Sequence, residues 1–199
     1  MQRLRILLAG VGGQGTLTAT NLLSLVADDL DIEVCAGEIH GMAQRGGIVE
    51  SAVLLGGYLS PRLDRGEADV LLGFEPLETL RALPSVRHGA TVVSNSEAIV
   101  PVGVNLGEAD YPHLEFIREK SAECATVIRF LPCRRLAEEA GNVKAANTVL
   151  LGALCAVPDA PFGIEGLEEG IRRHLSRKIS EVNVAAARKG YDAAREDGA

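Results

Sequence analysis

The side chains and turns best suited to chemistry lie in two glycine-bearing stretches, Gly10-Val11-Gly12-Gly13-Gln14-Gly15 and Glu38-Ile39-His40-Gly41-Met42-Ala43-Gln44-Arg45-Gly46-Gly47. In the first, Gly10, Gly12 and Gly15 have Gly-x-Gly-x-x-Gly spacing between an apolar run and a helical pattern. Backbone N–H groups and the helix dipole at such a turn favour an anionic group, a phosphate above all. In a dinucleotide site an acid about 20 positions further on grips the ribose, and Glu38 stands near that place. The same glycines also arise for a structural reason, because the helix must start close under the strand. Gln14 admits both readings, since its amide can meet a ligand or lock the loop against another backbone.

In the second stretch His40 titrates near neutrality and is the one candidate for acid–base work, while Arg45 offers a planar fork for a carboxylate or phosphate. Gln44 lies beside Arg45, and Gly46 and Gly47 permit backbone conformations closed to other residues. The alternative is an interface loop in which Arg45 forms an ion pair and His40 a hydrogen bond across a subunit contact. No metal site is expected. Cys35, Cys124, Cys133 and Cys155 are scattered without a Cys-x-x-Cys pair, and His40, His88, His113 and His174 show no ligand spacing. Zinc and iron–sulfur sites draw on closely spaced ligands, so these cysteines read as free thiols of a reducing compartment.

At 199 residues and 47% hydrophobic content the chain suits one well-filled domain, an α/β core over 1–132 followed by a helical part over 133–199. A net charge of -7 without any basic run argues against nucleic acid or an anionic membrane as partner. The apolar run after Arg5 breaks at Gly10, too early for a signal peptide, and no later stretch approaches the length of a membrane span. A cytoplasmic location is expected.

Both loops need strands that deliver them to one edge of a sheet, where open α/β folds place ligands. Residues 4–9 read as a strand buried on both faces, 16–29 as a helix with Leu17, Leu22, Leu25 and Val26 on its apolar face, and 32–36 as a second strand. Together they make a βαβ unit with a right-handed crossover. Residues 48–55 look extended, and Gly56-Gly57 reads as a hairpin turn into 58–61, which makes the sheet mixed. Further strands are expected at 69–74, 90–93 and 126–131, with helices from Pro76 through Leu83 and over 114–123. The pattern predicts a Rossmann-like three-layer α/β sandwich with a mostly parallel, mixed sheet and a helical C-terminal segment. That segment comprises helices at 133–140, from an Asn142 cap towards Pro158, and over 164–175 and 180–194, with a frayed end over 192–199.

The two loops, taken with Gly66-Glu67-Ala68-Asp69-Val70-Leu71-Leu72-Gly73-Phe74-Glu75-Pro76-Leu77-Glu78, resemble the beta subunits of indolepyruvate:ferredoxin oxidoreductases. Gly141-Asn142-Val143-Lys144-Ala145-Ala146-Asn147, Leu150-Leu151-Gly152-Ala153-Leu154, and Lys178 with Glu181 and Asn183 agree in the same order, so the resemblance spans almost the whole chain. Such subunits are similar to the gamma domain of the wider 2-oxoacid:ferredoxin oxidoreductases, which act on pyruvate, 2-oxoglutarate and branched-chain oxoacids. Those relatives usually carry tyrosine or proline near the place of His40-Gly41, so the form here favours the arylpyruvate branch. The resemblance implies oxidative decarboxylation of an arylpyruvate with coenzyme A as co-substrate and ferredoxin as electron acceptor. Thiamine diphosphate and iron–sulfur clusters are then expected on a large alpha subunit. This chain lacks clustered cysteines and a Gly-Asp-Gly signature, so it should bind no cofactor and be inactive alone. The loops would face the partner's site, and Asn142, Lys144 and Asn147 join them as substrate or interface residues. Where a histidine and an arginine are expected after the second loop, Ala52 and Leu54 stand instead, which bears on substrate choice.

Three functions remain in competition at this level. One is the oxidoreductase subunit, for an arylpyruvate or another 2-oxoacid. The second is an independent NAD(P)-binding protein built on Gly10, Gly12, Gly15 and Glu38, and the third a scaffold whose loops only bury an interface. A subunit made to pack on a larger partner should leave an apolar face uncovered, through which the isolated chain can form a homodimer.

Overall fold

The structure, a computed structural model, describes residues 3–40, 47–98 and 111–197, and for Ile39 and His40 the backbone alone. Six strands form one sheet: β1 (Leu4–Val11), β2 (Val34–His40), β3 (Ile48–Leu55), β4 (Ala68–Gly73), β5 (Val86–Asn95) and β6 (Ala125–Leu131). The spatial order is β2-β3-β1-β4-β5-β6. β3 runs antiparallel to both β1 and β2, whereas β1, β4, β5 and β6 are parallel. The described helices are α1 (Thr16–Asp29), α2 (Pro76–Ala82), α3 (Leu114–Ala122), α4 (Cys133–Glu139), α5 (Ala146–Leu154), α6 (Ile164–His174) and α7 (Arg177–Glu196).

Strand residues alternate between the two faces, and each face has its own core. Ile6, Leu8, Val53, Leu55, Val70 and Leu72 pack with α1, α5, α6 and α7. Leu7, Ala9, Leu71, Ala90 and Val92 pack with the end of α2 on the other face. The expected three-layer mixed α/β sandwich is therefore present. The first of these cores joins strand residues between 6 and 131 to helix residues between 133 and 194. No described helix is long and apolar enough to cross a membrane.

Three expectations need correction. The sheet is mixed for a different reason than a hairpin of 48–55 with 58–61: no strand forms over 58–61, and β3 instead inserts between β2 and β1. Ala52, Val53, Leu54 and Leu55 are all buried, a pattern that demands a neighbour on both edges and cover on both faces. The stripe of α1 is rotated as well. Ala19, Leu22, Leu23, Val26 and Ala27 face the sheet, while Leu17 and Leu25 are exposed. Finally, α7 continues through Glu196, with Ala194 buried and its carbonyl accepting from Arg129 Nε at 2.8 Å, so the helix runs past the expected fraying point at 192.

Candidate functional site

From β1 the chain leaves on one face into α1, and from β4 it leaves on the other face into α2. These opposite departures open a crevice between adjacent parallel strands, the switch point at which open α/β sheets take ligands. A cleft of about 950 Å³ lies there, walled by Gly12 to Gly15 on one side and by α4 and the Asn142–Asn147 turn on the other.

The glycine turn is built by close approach. A side chain at Gly10 would stand 2.8 Å from Phe74 Cβ, 2.9 Å from Gln14 Oε1 and 3.0 Å from Thr16 Oγ1. Gly13 (φ +102) and Gly15 (φ +83) take the left-handed conformation, and Gly15 is the N-cap of α1. The first-turn N–H groups of α1 have no carbonyl of their own helix to reach and receive no side-chain cap. Gln14 folds inward: its Oε1 accepts from Val11 N at 2.7 Å and its Nε2 donates to the Phe74 carbonyl at 3.3 Å. The amide thus clamps the turn to the end of β4.

The second loop starts from β2 and returns into β3, whose first residue Ile48 pairs with Val11. Gly12 N donates to the Gly47 carbonyl at 2.9 Å, so the two glycine stretches meet at one edge of the sheet. The backbone of His40 closes β2, while its side chain and Gln44, Arg45 and Gly46 lie outside the described residues. Glu38 pairs in register with Ser51 on β3. With β3 between β2 and β1, Glu38 is two strands, roughly 10 Å, from β1, level with Leu8 and short of the first loop, and it does not line the cleft.

On the far wall Asn142 accepts from Lys144 N at 3.0 Å and caps a short 3₁₀ turn, which leaves the Lys144 ammonium exposed at the cleft. Asn147 Nδ2 donates to the Gly15 carbonyl at 3.4 Å, and a side chain at Gly15 would stand 2.8 Å from that nitrogen. Thr148 Oγ1 donates to Asn183 Oδ1 at 2.7 Å, tying α5 to α7. Arg134 also lines the cleft, but its guanidinium pairs with Glu138 at 3.0 Å, and Glu97 Oε2 accepts from Arg134 N at 2.5 Å. Leu22, Leu150, Leu175 and Ile179 add apolar lining. The cleft therefore suits a ligand or partner segment that has an anionic part for the glycine turn and an apolar part as well.

Sequence reasoning singled out the glycines, Gln14, Asn142, Lys144 and Asn147 and missed Phe74, Asn95, Glu97 and Arg134. Asn95, a polar residue ending an apolar strand, was the available signal. The 66–78 motif has a structural explanation. Glu75 is fully buried, caps α2 by accepting from Glu78 N at 3.0 Å, and accepts the Tyr111 hydroxyl. Burial and then that carboxylate hold the Tyr111 phenol well above its ordinary range. Burial also raises the Glu78 carboxyl, against the opposing pull of Arg81 at 2.6 Å.

Among the described residues no group of three or more His, Cys, Asp and Glu is arranged to hold a metal ion. The cysteines sit on β2, after α3, at the start of α4 and after α5, a spread that does not fit an iron–sulfur cluster. Burial raises the Cys133 thiol strongly and pushes Cys155 up to about 12.

Large apolar side chains stand exposed around the same edge: Val143 and Ile179 line the cleft, Leu17 precedes Thr18 in its wall, and Ile48 follows Gly47.

The family model described as pyruvate ferredoxin/flavodoxin oxidoreductase matches residues 5–193. The chain is 41% identical to the indolepyruvate oxidoreductase subunit IorB of Pyrococcus horikoshii, over 98% of both chains. It is 38% identical to the subunit of the same name from Archaeoglobus fulgidus, over 96% of each. In three dimensions it is similar to the pyruvate oxidoreductase subunit PORC of Thermotoga maritima, with a TM-score of 0.72, 20% identity and 97% of each chain covered.

Proposed function

Because the chain belongs to the pyruvate ferredoxin/flavodoxin oxidoreductase family, we propose that it is the beta subunit of an indolepyruvate or arylpyruvate:ferredoxin oxidoreductase. It packs on a large alpha subunit that carries thiamine diphosphate and iron–sulfur clusters and passes electrons to ferredoxin. Coenzyme A is the co-substrate of the complex, and this chain by itself is inactive. The observation that carries the reading is similarity to subunits of that name along nearly the whole chain. The geometry supports it: both glycine stretches meet at one edge, beside a cleft with exposed Lys144 and an apolar rim. Glu38, His40, Gln44, Arg45, Gly46 and Gly47 belong to the substrate or partner side of that edge. Free thiols suit the cytoplasm.

The neighbouring readings are weaker. Ala52 and Leu54 lie buried in a central strand, where neither can meet an anion, so selection of another 2-oxoacid rests on the partner. Independent NAD(P) binding lacks its ribose grip, because β3 separates Glu38 from the glycine turn. Purifying the chain and its large subunit separately, and assaying arylpyruvate-dependent ferredoxin reduction with coenzyme A, tests the proposal. Turnover is expected only from the mixture. A large subunit equally active alone, or this chain oxidising arylpyruvate unaided, removes it.

A further inference from the structure

Asn95 ends β5 with its side chain buried, only 6% exposed, at the floor of the cleft. Its amide is fully engaged. Oδ1 accepts from Cys133 N at 3.2 Å and from Glu97 N at 3.1 Å, and Nδ2 donates to the Phe74 carbonyl at 3.3 Å and to the Glu97 carbonyl at 3.1 Å. The Phe74 carbonyl is the same atom that receives Gln14 Nε2. Two amides, Gln14 from the glycine turn and Asn95 from the end of β5, therefore converge on one oxygen, and Phe74 is anchored by its own N–H to the Ala9 carbonyl at 2.8 Å.

We propose that Asn95 is a positioning residue: by holding Phe74, Glu97 and the start of α4 on one amide it sets the width of the cleft and presents the Phe74 carbonyl to Gln14. The inference rests on the functional reading above, because it assigns a role within that subunit's cleft. A carboxylate at this position keeps the two accepted bonds but turns negative charge on two carbonyl oxygens, which forces Phe74 and the 96–98 segment apart. The glycine turn then loses its second anchor while the sheet below keeps its ladder.

The experiment uses the reconstituted complex with Asn95→Asp, and with Gln14→Met as a second variant that removes the other amide from the same oxygen. In the isolated full chain, the Phe74 carbonyl ¹³C resonance should move in both variants, and the two shifts should be non-additive in the double variant. In the complex, the KM for coenzyme A or for arylpyruvate, whichever is seated here, should rise about ten- to a hundred-fold, with the other KM little changed. If only the apparent kcat falls, in proportion to the folded fraction, with both KM values unchanged, or if both variants turn over like wild type, the inference is overturned. Should Asn95→Asp not fold, Asn95→Ala, which removes the four amide bonds without adding a charge, decides on the same criteria. Wild-type chain that adds nothing to the large subunit refutes the functional reading instead, and the two failures are thereby distinguished.

Discussion

Gly152→Ala pits helix propensity against sterics. Gly152 lies within α5, and a Cβ there would stand 1.9 Å from the Ala187 carbonyl oxygen, 2.6 Å from its carbonyl carbon and 2.8 Å from its Cα, all backbone of α7. The relation is reciprocal, since a side chain at Gly190 would stand 1.9 Å from the Val149 oxygen. Neither backbone can rotate away, so α7 must retreat by roughly 1.5 Å to restore van der Waals contact. Overpacking of this kind costs about 1–3 kcal/mol. Loss of the Thr148–Asn183 hydrogen bond, now 2.7 Å, adds about 1 kcal/mol. Against this, alanine gains up to about 1 kcal/mol over glycine in helix propensity. The net is about 2 kcal/mol of destabilisation, or a melting temperature lower by about 4–8 °C for a chain of this size. Gly166→Ala in α6 is the control, because its nearest neighbour is the flexible end of Leu30 at 3.3 Å, and it should melt at or slightly above wild type. Calorimetry of the three proteins settles the matter: if Gly152→Ala melts with or above Gly166→Ala, the steric argument is wrong. Because α7 carries Ile179 and Asn183 into the cleft, the same variant should also lower turnover of the complex.

Gly10→Ala should displace Gln14 and Phe74 together, costing about 1–3 kcal/mol, and hydrogen exchange should show faster exchange at the Val11 amide. Burial raises the Glu78 carboxyl in the folded state, so its contribution is present below the unfolded value and lost as pH rises through the folded one. The melting temperature of Glu78→Gln relative to wild type should accordingly climb as pH goes from about 4 to about 7, and a difference independent of pH would contradict the assignment. A thiol reagent should label at most two of the four cysteines quickly in the native chain, sparing buried Cys133 and Cys155, and all four after denaturation. Spectrophotometric titration should find one of the three tyrosines, Tyr111, protonated beyond the ordinary phenol range near 10, and Tyr111→Phe should remove that late component.

Local order was legible in the residues because it follows from periodicity and from short-range sterics. The 16–29 helix forms over the expected residues, though with its apolar stripe rotated, Pro76 opens α2, Asn142 caps the turn before α5, and the glycine turn joins β1 to α1. The apolar runs at 4–9 and 69–74 read as strands buried on both faces, which is what β1 and β4 are. Meeting of the two glycine stretches also followed from the pattern, since strands that emerge at one edge bring their loops together.

Strand partners and the shared floor of the cleft were decided only by tertiary structure. Nothing local tells residues 48–55 to pair with β1 and β2 rather than fold back on 58–61. The choice belongs to the burial of Ala52 and Leu54 on one face and Val53 and Leu55 on the other, which needs strands on both sides at once. That insertion moves Glu38 away from the glycine turn and so alters the functional reading of a residue whose sequence spacing suited a nucleotide. Asn95 and Gln14 are 81 residues apart, and no spacing rule links them. They meet because a buried carbonyl must be satisfied, and which donors reach it is settled only when β1, β4 and β5 lie side by side.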